Sequence, residues 1–195
     1  MFIFVMSAVI YNIKITRTNS ANSLVDKSVN WLYIMMFRYL VILLLLIPVS
    51  ALAVGKADLV IVDKSKTRLY LMKDNKVLKS FRVALGARPK GHKQQEGDER
   101  TPEGRYMLDY KKADSDFYKA IHVSYPNEAD IQRARELGVD PGGQIMIHGQ
   151  KNSLSKVSFT RQSRNWTDGC IAVTNSAMDI IWDAVDPGTP IVIKP

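Results

Sequence analysis

From Asp58 onward the chain breaks into short apolar runs closed by Gly, Pro, Asn or Asp, a cadence that demands a sheet and leaves room for few helices. Asp58 to Val62 and Thr67 to Met72 read as strands, and Lys73-Asp74-Asn75-Lys76 reads as a hairpin turn. Val77 to Leu85 follows, with Val77, Lys79, Phe81, Val83 and Leu85 on one side, and Gly86 ends it. Ala87 to Arg100 is polar, holds Pro89, Gly91 and Gly97, and reads as an exposed loop. Thr101-Pro102-Glu103-Gly104 turns the chain into a strand over Arg105 to Tyr110, and Phe117 to Ser124 predicts another. Helical spacing runs from Glu128 to Leu137 through Ile131 and Ala134 and stops at Gly138. After the turn Pro141-Gly142-Gly143, Gln144 to Ile147 reads as a strand ending at His148-Gly149. Lys151 to Arg164 is basic and polar, with room for a helical turn or two. Asn175 reads as the cap of a helix over Ala177 to Val185, with Ile180, Ile181 and Ala184 facing in, and Thr189 to Lys194 as a closing strand. The class is mainly β (α+β), an antiparallel meander with a few short helices.

Bulk properties narrow the function. With 195 residues, 46% hydrophobic and 24% charged, one packed domain plus an N-terminal appendage is expected, and disorder is not. The net charge is +8, but the basic residues (Lys64, Lys66, Arg68, Lys73, Lys76, Lys79, Arg82) are scattered. They suit solvated strand edges and an anionic wall or membrane face better than a nucleic-acid stripe, so no nucleic-acid partner is expected.

The appendage reads as an export signal. Met36-Phe37-Arg38-Tyr39 precedes the apolar run Leu40 to Ile47, then Pro48, Val49, Ser50 and the small-x-small site Ala51-Leu52-Ala53. That run is short against the roughly 20 residues a membrane span needs, so residues 36–53 are expected to be a signal peptide cut after Ala53, with an uncleaved anchor as the alternative. Residues 1–35 lie upstream of it and are expected to be a non-structural extension, with Met35 or Met36 as the true start. No Cys follows the cleavage site, so lipoprotein processing is not indicated. The folded domain is expected over residues 56–195, in the periplasm or cell envelope, with the membrane met only through the signal segment.

Chemistry concentrates in two segments, Ile145-Met146-Ile147-His148-Gly149 and Trp166-Thr167-Asp168-Gly169-Cys170-Ile171-Ala172-Val173. Cys170 is the sole cysteine, so no internal disulfide can form, and a lone thiol in an oxidising compartment is either buried or used. His148 closes an apolar strand, where a sheet delivers side chains to a cleft. A nearby imidazole can take the thiol proton and leave a thiolate–imidazolium pair. A glycine before the cysteine lets adjacent N–H groups converge on one oxygen.

His148-Gly149, followed after a variable stretch by Thr167-Asp168-Gly169-Cys170-Ile171, resembles the signature of the L,D-transpeptidase (YkuD-like) catalytic domain. Thr101-Pro102-Glu103-Gly104-Arg105-Tyr106 is similar to a second hallmark upstream, and the resemblance spans about Asp58 to Pro195. It implies a largely antiparallel β-sandwich with a cleft, acting on peptidoglycan stem peptides without a metal or organic cofactor. It implies an acyl-enzyme on Cys170, loss of a terminal D-alanine, and transfer of the acyl group to an amine acceptor, such as a second stem or a wall-linked protein. By the same resemblance His148 is the base, the Gly149 carbonyl orients it, Gly169 and Cys170 supply N–H groups to the oxyanion, and Thr167 supports the loop.

Two positions depart from the commoner family pattern. Asp168 stands where His is usual, and Ala172 where Arg is usual. An arginine there can hold a carboxylate bidentately, which alanine cannot. A carboxylate at 168 raises the thiol pKa unless it is paired or turned away. The Trp-Thr-x-Gly-Cys-Ile-Ala-Val form resembles a subgroup in which some relatives cut amide links to peptidoglycan. An amidase or L,D-carboxypeptidase with water as acceptor therefore stays open, as does a non-catalytic wall-binding module. Around the pair, His122 either lines the cleft or is structural, and Trp166 either walls the cleft or packs in the core. Arg161 and Arg164 either grip anionic substrate or are solvated. Asp168 either orients His148 or Thr167 or faces water, and His92 reads as solvated.

Overall fold

The computed structural model describes residues 31, 33–42, 55–152 and 163–195. It divides into two units, Met1–Ala51 and Leu52–Pro195. In the first, residues 33–42 are helical, and among the described residues no helix is long and apolar enough to cross a membrane. The cleavage site at residues 51–53, most of the polar stretch 151–164 and Arg161 lie outside the described residues.

Among the described residues the second unit is mainly β with two short helices. In chain order it runs β1 (Leu59–Asp63), β2 (Arg68–Lys73), β3 (Lys76–Arg82), β4 (Gly104–Ser115), β5 (Tyr118–Val123), α1 (Glu128–Leu137), β6 (Met146–His148), β7 (Ile171–Ala172), α2 (Asn175–Ala184) and β8 (Thr189–Lys194). All eight strands form one sheet in the order β3-β2-β1-β8-β4-β5-β6-β7. The sheet is mixed: β1–β8 and β6–β7 are parallel and the other pairs antiparallel. Both parallel pairs join strands separated by long connections, as parallel pairing requires.

The sheet then curls until its two ends meet. Beyond β3 the chain crosses to β7, where Ala84 and Ala172 exchange both backbone hydrogen bonds (2.9 and 2.8 Å). Trp166 and Thr167 both donate N–H to the Leu85 carbonyl, and Ala87 N–H reaches the Thr167 carbonyl at 2.9 Å. The segment carrying Cys170 is thereby tied into the sheet on two sides.

Alternation builds the core. Val60 and Val62, Leu69 and Leu71, Ile191 and Ile193, Ile121 and Val123, with Ile147 and Ile171, all point inward and are almost completely buried. Each such side chain contributes about 1.5–3 kcal/mol relative to exposure. Ala177, Met178, Ile181 and Ala184 of α2 are buried with them. The β2–β3 turn is the predicted one: Asp74 and Asn75 take φ of 48° and 60°, conformations that Asn and Asp tolerate best among non-glycine residues.

The structure departs from the sequence reading at two places that bear on the site. The loop between β3 and β4 is not simply exposed. Lys64 is buried and donates to the carbonyls of Gly91 (2.7 Å) and Thr101 (2.9 Å) and to Glu103 Oε1 (2.7 Å). Lys93, also buried, donates to Asp98 Oδ1 at 2.9 Å. His92 is not solvated. Its Nδ1 accepts from Glu103 N–H at 2.9 Å and its Nε2 lies 2.9 Å from Asp130 Oδ1, anchoring the loop to α1. Hydropathy misplaces these residues because a charged group buries readily once its partners are supplied. The second departure is the cap of α2. Thr174, not Asn175, accepts from Ala177 N–H, which frees the Asn175 amide for another role.

Candidate active site

The register of β5, β6 and β7 assembles the site. Ala120 faces His148 across the β5–β6 pair, and His148 faces Ala172 across the parallel β6–β7 pair. Residues directly opposite share a face of the sheet, and so do residues two apart on one strand. Cys170 and Met146 therefore fall on the same face as His148. All three, with Ala120, line a cavity of about 410 Å³. Phe117, Trp166, Thr167, Gln144, Lys112 and Asp168 complete most of its wall.

His148 is 4% exposed and held by its own neighbour. Its Nδ1 lies 2.7 Å from the Gly149 carbonyl oxygen. A carbonyl only accepts, so Nδ1 carries the hydrogen and Nε2 keeps its lone pair. Phe117 packs against the ring at a centroid distance of 4.6 Å and Trp166 edges it at 5.9 Å. Gly149 is required by space: a Cβ there would sit 2.7 Å from Asn175 Oδ1, 2.9 Å from Tyr118 Cβ and 3.1 Å from the Phe117 carbonyl. The chain after it is pinned as well. Gln150 N–H donates to Asn175 Oδ1 (2.8 Å) and Gln150 Nε2 to the Val173 carbonyl (2.6 Å).

Cys170 sits at the mouth of β7. Its Sγ accepts from Met146 N–H at 3.4 Å and lies 3.6 Å from the Gln144 carbonyl. Gly169 adopts φ +131°, where a Cβ would meet the Arg100 carbonyl oxygen at 2.7 Å, so only glycine fits before the cysteine. Thr167 Oγ1 donates to the Cys170 carbonyl at 2.7 Å and accepts from Gly169 N–H at 3.3 Å. The Gly169 N–H, expected at an oxyanion, is directed to that hydroxyl instead, whereas the Cys170 N–H has no acceptor among the described residues.

Burial moves both titrations the same way, toward neutrality. It pushes the Cys170 thiol up; the Met146 N–H opposes this, while the Asp168 carboxylate adds to it. It also lowers the His148 imidazole, against the hydrogen bond to Gly149. Both shifts favour the neutral forms, because two poorly hydrated charges are costly until something else in the cavity stabilises them.

The remaining candidates separate. Trp166 walls the cavity. Asp168 also faces it, exposed, and hydrogen-bonds neither His148 nor Thr167. His122 does not line the cavity: it stands one row out, its Nδ1 2.7 Å from Asp109 Oδ1 and its ring stacked on Tyr110 at 4.5 Å, so its polar edge is engaged elsewhere. Arg164 is exposed in a turn and also lies off the cavity wall. Sequence reasoning missed Phe117, Lys112, Gln150 and Asn175. Irregular register between β4 and β5 hides which of their residues share the face of His148. Asn175 was assigned to the cap that Thr174 makes.

The YkuD L,D-transpeptidase catalytic-domain family matches residues 57–193. The chain is 32% identical over 111 residues to YafK, an L,D-transpeptidase-family protein of Escherichia coli K12, over 56% of this chain and 37% of that protein. Among solved structures it is similar to the helical cell shape determining protein Pgp2 from Campylobacter jejuni, with TM-score 0.52 and 27% identity. That match covers 70% of this chain and 46% of Pgp2, so the chain spans less than half the length of either relative.

Proposed function

The chain belongs to the L,D-transpeptidase catalytic-domain family, and from that premise we propose that it is a cell-envelope cysteine acyltransferase acting on peptidoglycan stem peptides. The observation that carries this reading is the placement of Cys170 and His148 on one wall of one cavity, with His148 Nδ1 tied to Gly149 and Nε2 left as the base.

In this reading a stem-peptide carbonyl enters beside Sγ. His148 Nε2 takes the thiol proton as sulfur attacks carbon, so that charge forms only when substrate is present. The oxyanion receives the Cys170 N–H. The imidazolium then gives its proton to the departing amine, the C–N bond breaks, and a thioester remains on Cys170. An acceptor amine, deprotonated by the same imidazole, attacks the thioester and releases the thiol. Residues 36–53 would export the chain as a signal peptide, with 56–195 as the catalytic domain and 1–35 outside it. A part in cell shape, the role given in the name of Pgp2, is included in the proposal.

Hydrolysis is the second reading, favoured by one observation. Ala172 is fully buried and carries no charge to the position where an arginine is usual in the family. Water would then replace the amine. Incubating the protein with muropeptides and weighing the products separates the readings: new dimers support transfer, and trimmed monomers alone support hydrolysis. Products that persist undiminished with Cys170→Ala would exclude catalysis by this thiol, and binding without any product would leave a wall-binding module.

A further inference from the structure

Among the described residues the cavity wall contains one lysine, Lys112, which is exposed and has no ion-pair partner there. Its position is fixed by register. Lys112 faces Ala120 across the β4–β5 pair, and Ala120 faces His148 across the β5–β6 pair. The three share one face of the sheet, with Cys170 beyond His148 on the other side. Two strand spacings separate the backbones of Lys112 and His148, about 10 Å. A lysine side chain spans much of that distance.

We propose that Lys112 binds the carboxylate of the leaving amino acid and is the residue by which this site tells a terminal acid from an amide next to the scissile bond. The inference rests on the acyl-transfer reading above and deepens it. Its logic is directional. Sulfur attacks the scissile carbonyl carbon; the C–S bond forms, the C–N bond breaks, and the thiol proton passes through His148 Nε2 to the leaving nitrogen. That nitrogen must therefore lie on the His148 side of Cys170, which is also the Lys112 side. In a terminal amino acid the carboxylate is only two bonds beyond its nitrogen, so it projects further along the same row, toward the ammonium of Lys112. Ala172 supplies no cation, and the other charged wall residues, Asp116 and Asp168, would repel a carboxylate. An internal peptide link or an amidated terminus presents no such charge.

The test compares a synthetic stem tetrapeptide ending in D-alanine with the same peptide as its C-terminal carboxamide, following kcat/KM and the thioester on Cys170 by intact mass. The wild-type protein is expected to prefer the acid by tenfold or more. Lys112→Met should bring the acid-to-amide ratio close to one, Lys112→Arg should restore most of it, and Lys112→Glu should invert it. A ratio that survives Lys112→Met, or a wild-type protein acylated equally by both peptides, overturns the assignment while leaving the acyl-enzyme reading in place. A wild-type protein acylated by neither overturns the acyl-enzyme reading, and this inference with it.

Discussion

His148 Nδ1 lies 2.7 Å from the carbonyl oxygen of Gly149, so the imidazole is oriented by the residue that follows it and not by a carboxylate. The orientation is then only as good as the hold on that carbonyl. Three groups crowd Gly149, and the next peptide is fastened to the Asn175 amide.

Two neighbouring substitutions separate that hold from helix stability. Asn175→Ala removes the acceptor of Gln150 N–H and lets the Gly149 carbonyl shift; a misplacement near 1 Å costs roughly 10²-fold in rate. Thr174→Ala removes the cap of α2, which costs about 1 kcal/mol in urea unfolding, and should leave turnover near wild type. Turnover lost with Thr174→Ala and kept with Asn175→Ala would reverse these assignments.

The thiol should titrate late. Burial and the Asp168 carboxylate both raise it, so the pH profile of iodoacetamide alkylation should bend above the ordinary thiol value of about 8.5. Asp168→Asn removes one of the raising charges and should move that bend to lower pH, speeding alkylation at neutrality. A bend that stays put or rises would mean that the carboxylate does not act on the sulfur.

His148 makes stability fall on the acid side. Its folded pKa is depressed by burial, so below the ordinary value of about 6.5 the unfolded chain binds a proton that the folded protein refuses. Its contribution is complete above that pH and declines as pH drops toward the depressed value. Urea midpoints for wild type and His148→Gln, compared between about pH 7 and about pH 5, should show a smaller acid loss in the variant. An identical slope would count against a buried neutral imidazole.

Lys64 is the peg of the long loop. Lys64→Met leaves Glu103 Oε1 and two carbonyls without their donor, and breaking a buried pair from one side costs about 3–5 kcal/mol. Urea unfolding should register the loss, and limited proteolysis should begin within residues 91–103. A variant as stable and as protease-resistant as wild type would show that the loop is held by other means.

Much of the fold is written locally. Asp74-Asn75 states its hairpin, Gly138 its helix stop, and Thr189 to Lys194 its strand, because each depends on residues adjacent in sequence. The cysteine, the histidine and both flanking glycines are legible for the same reason. What is not legible is non-local. The parallel β6–β7 pair and the closure through Ala84 depend on chain segments far apart. Lys112 joins the cavity wall only through a register that slips on either side of it. Lys64 and His92 read as solvent-facing because their partners lie on other segments, whereas Lys93 is buried by Gln95 and Asp98 of its own loop. Thr174 and Asn175 are both good helix caps, and only the contact with Gln150 decides between them.

The central claim is that Cys170 becomes acylated through His148. Brief incubation with a stem tetrapeptide, an acid quench and intact-mass measurement test it most directly. The account predicts a mass gain equal to the peptide minus its terminal amino acid, located on Cys170, absent in Cys170→Ala and strongly reduced in His148→Ala. A wild-type protein that converts the peptide while its Cys170→Ala variant converts it equally fast would contradict the account.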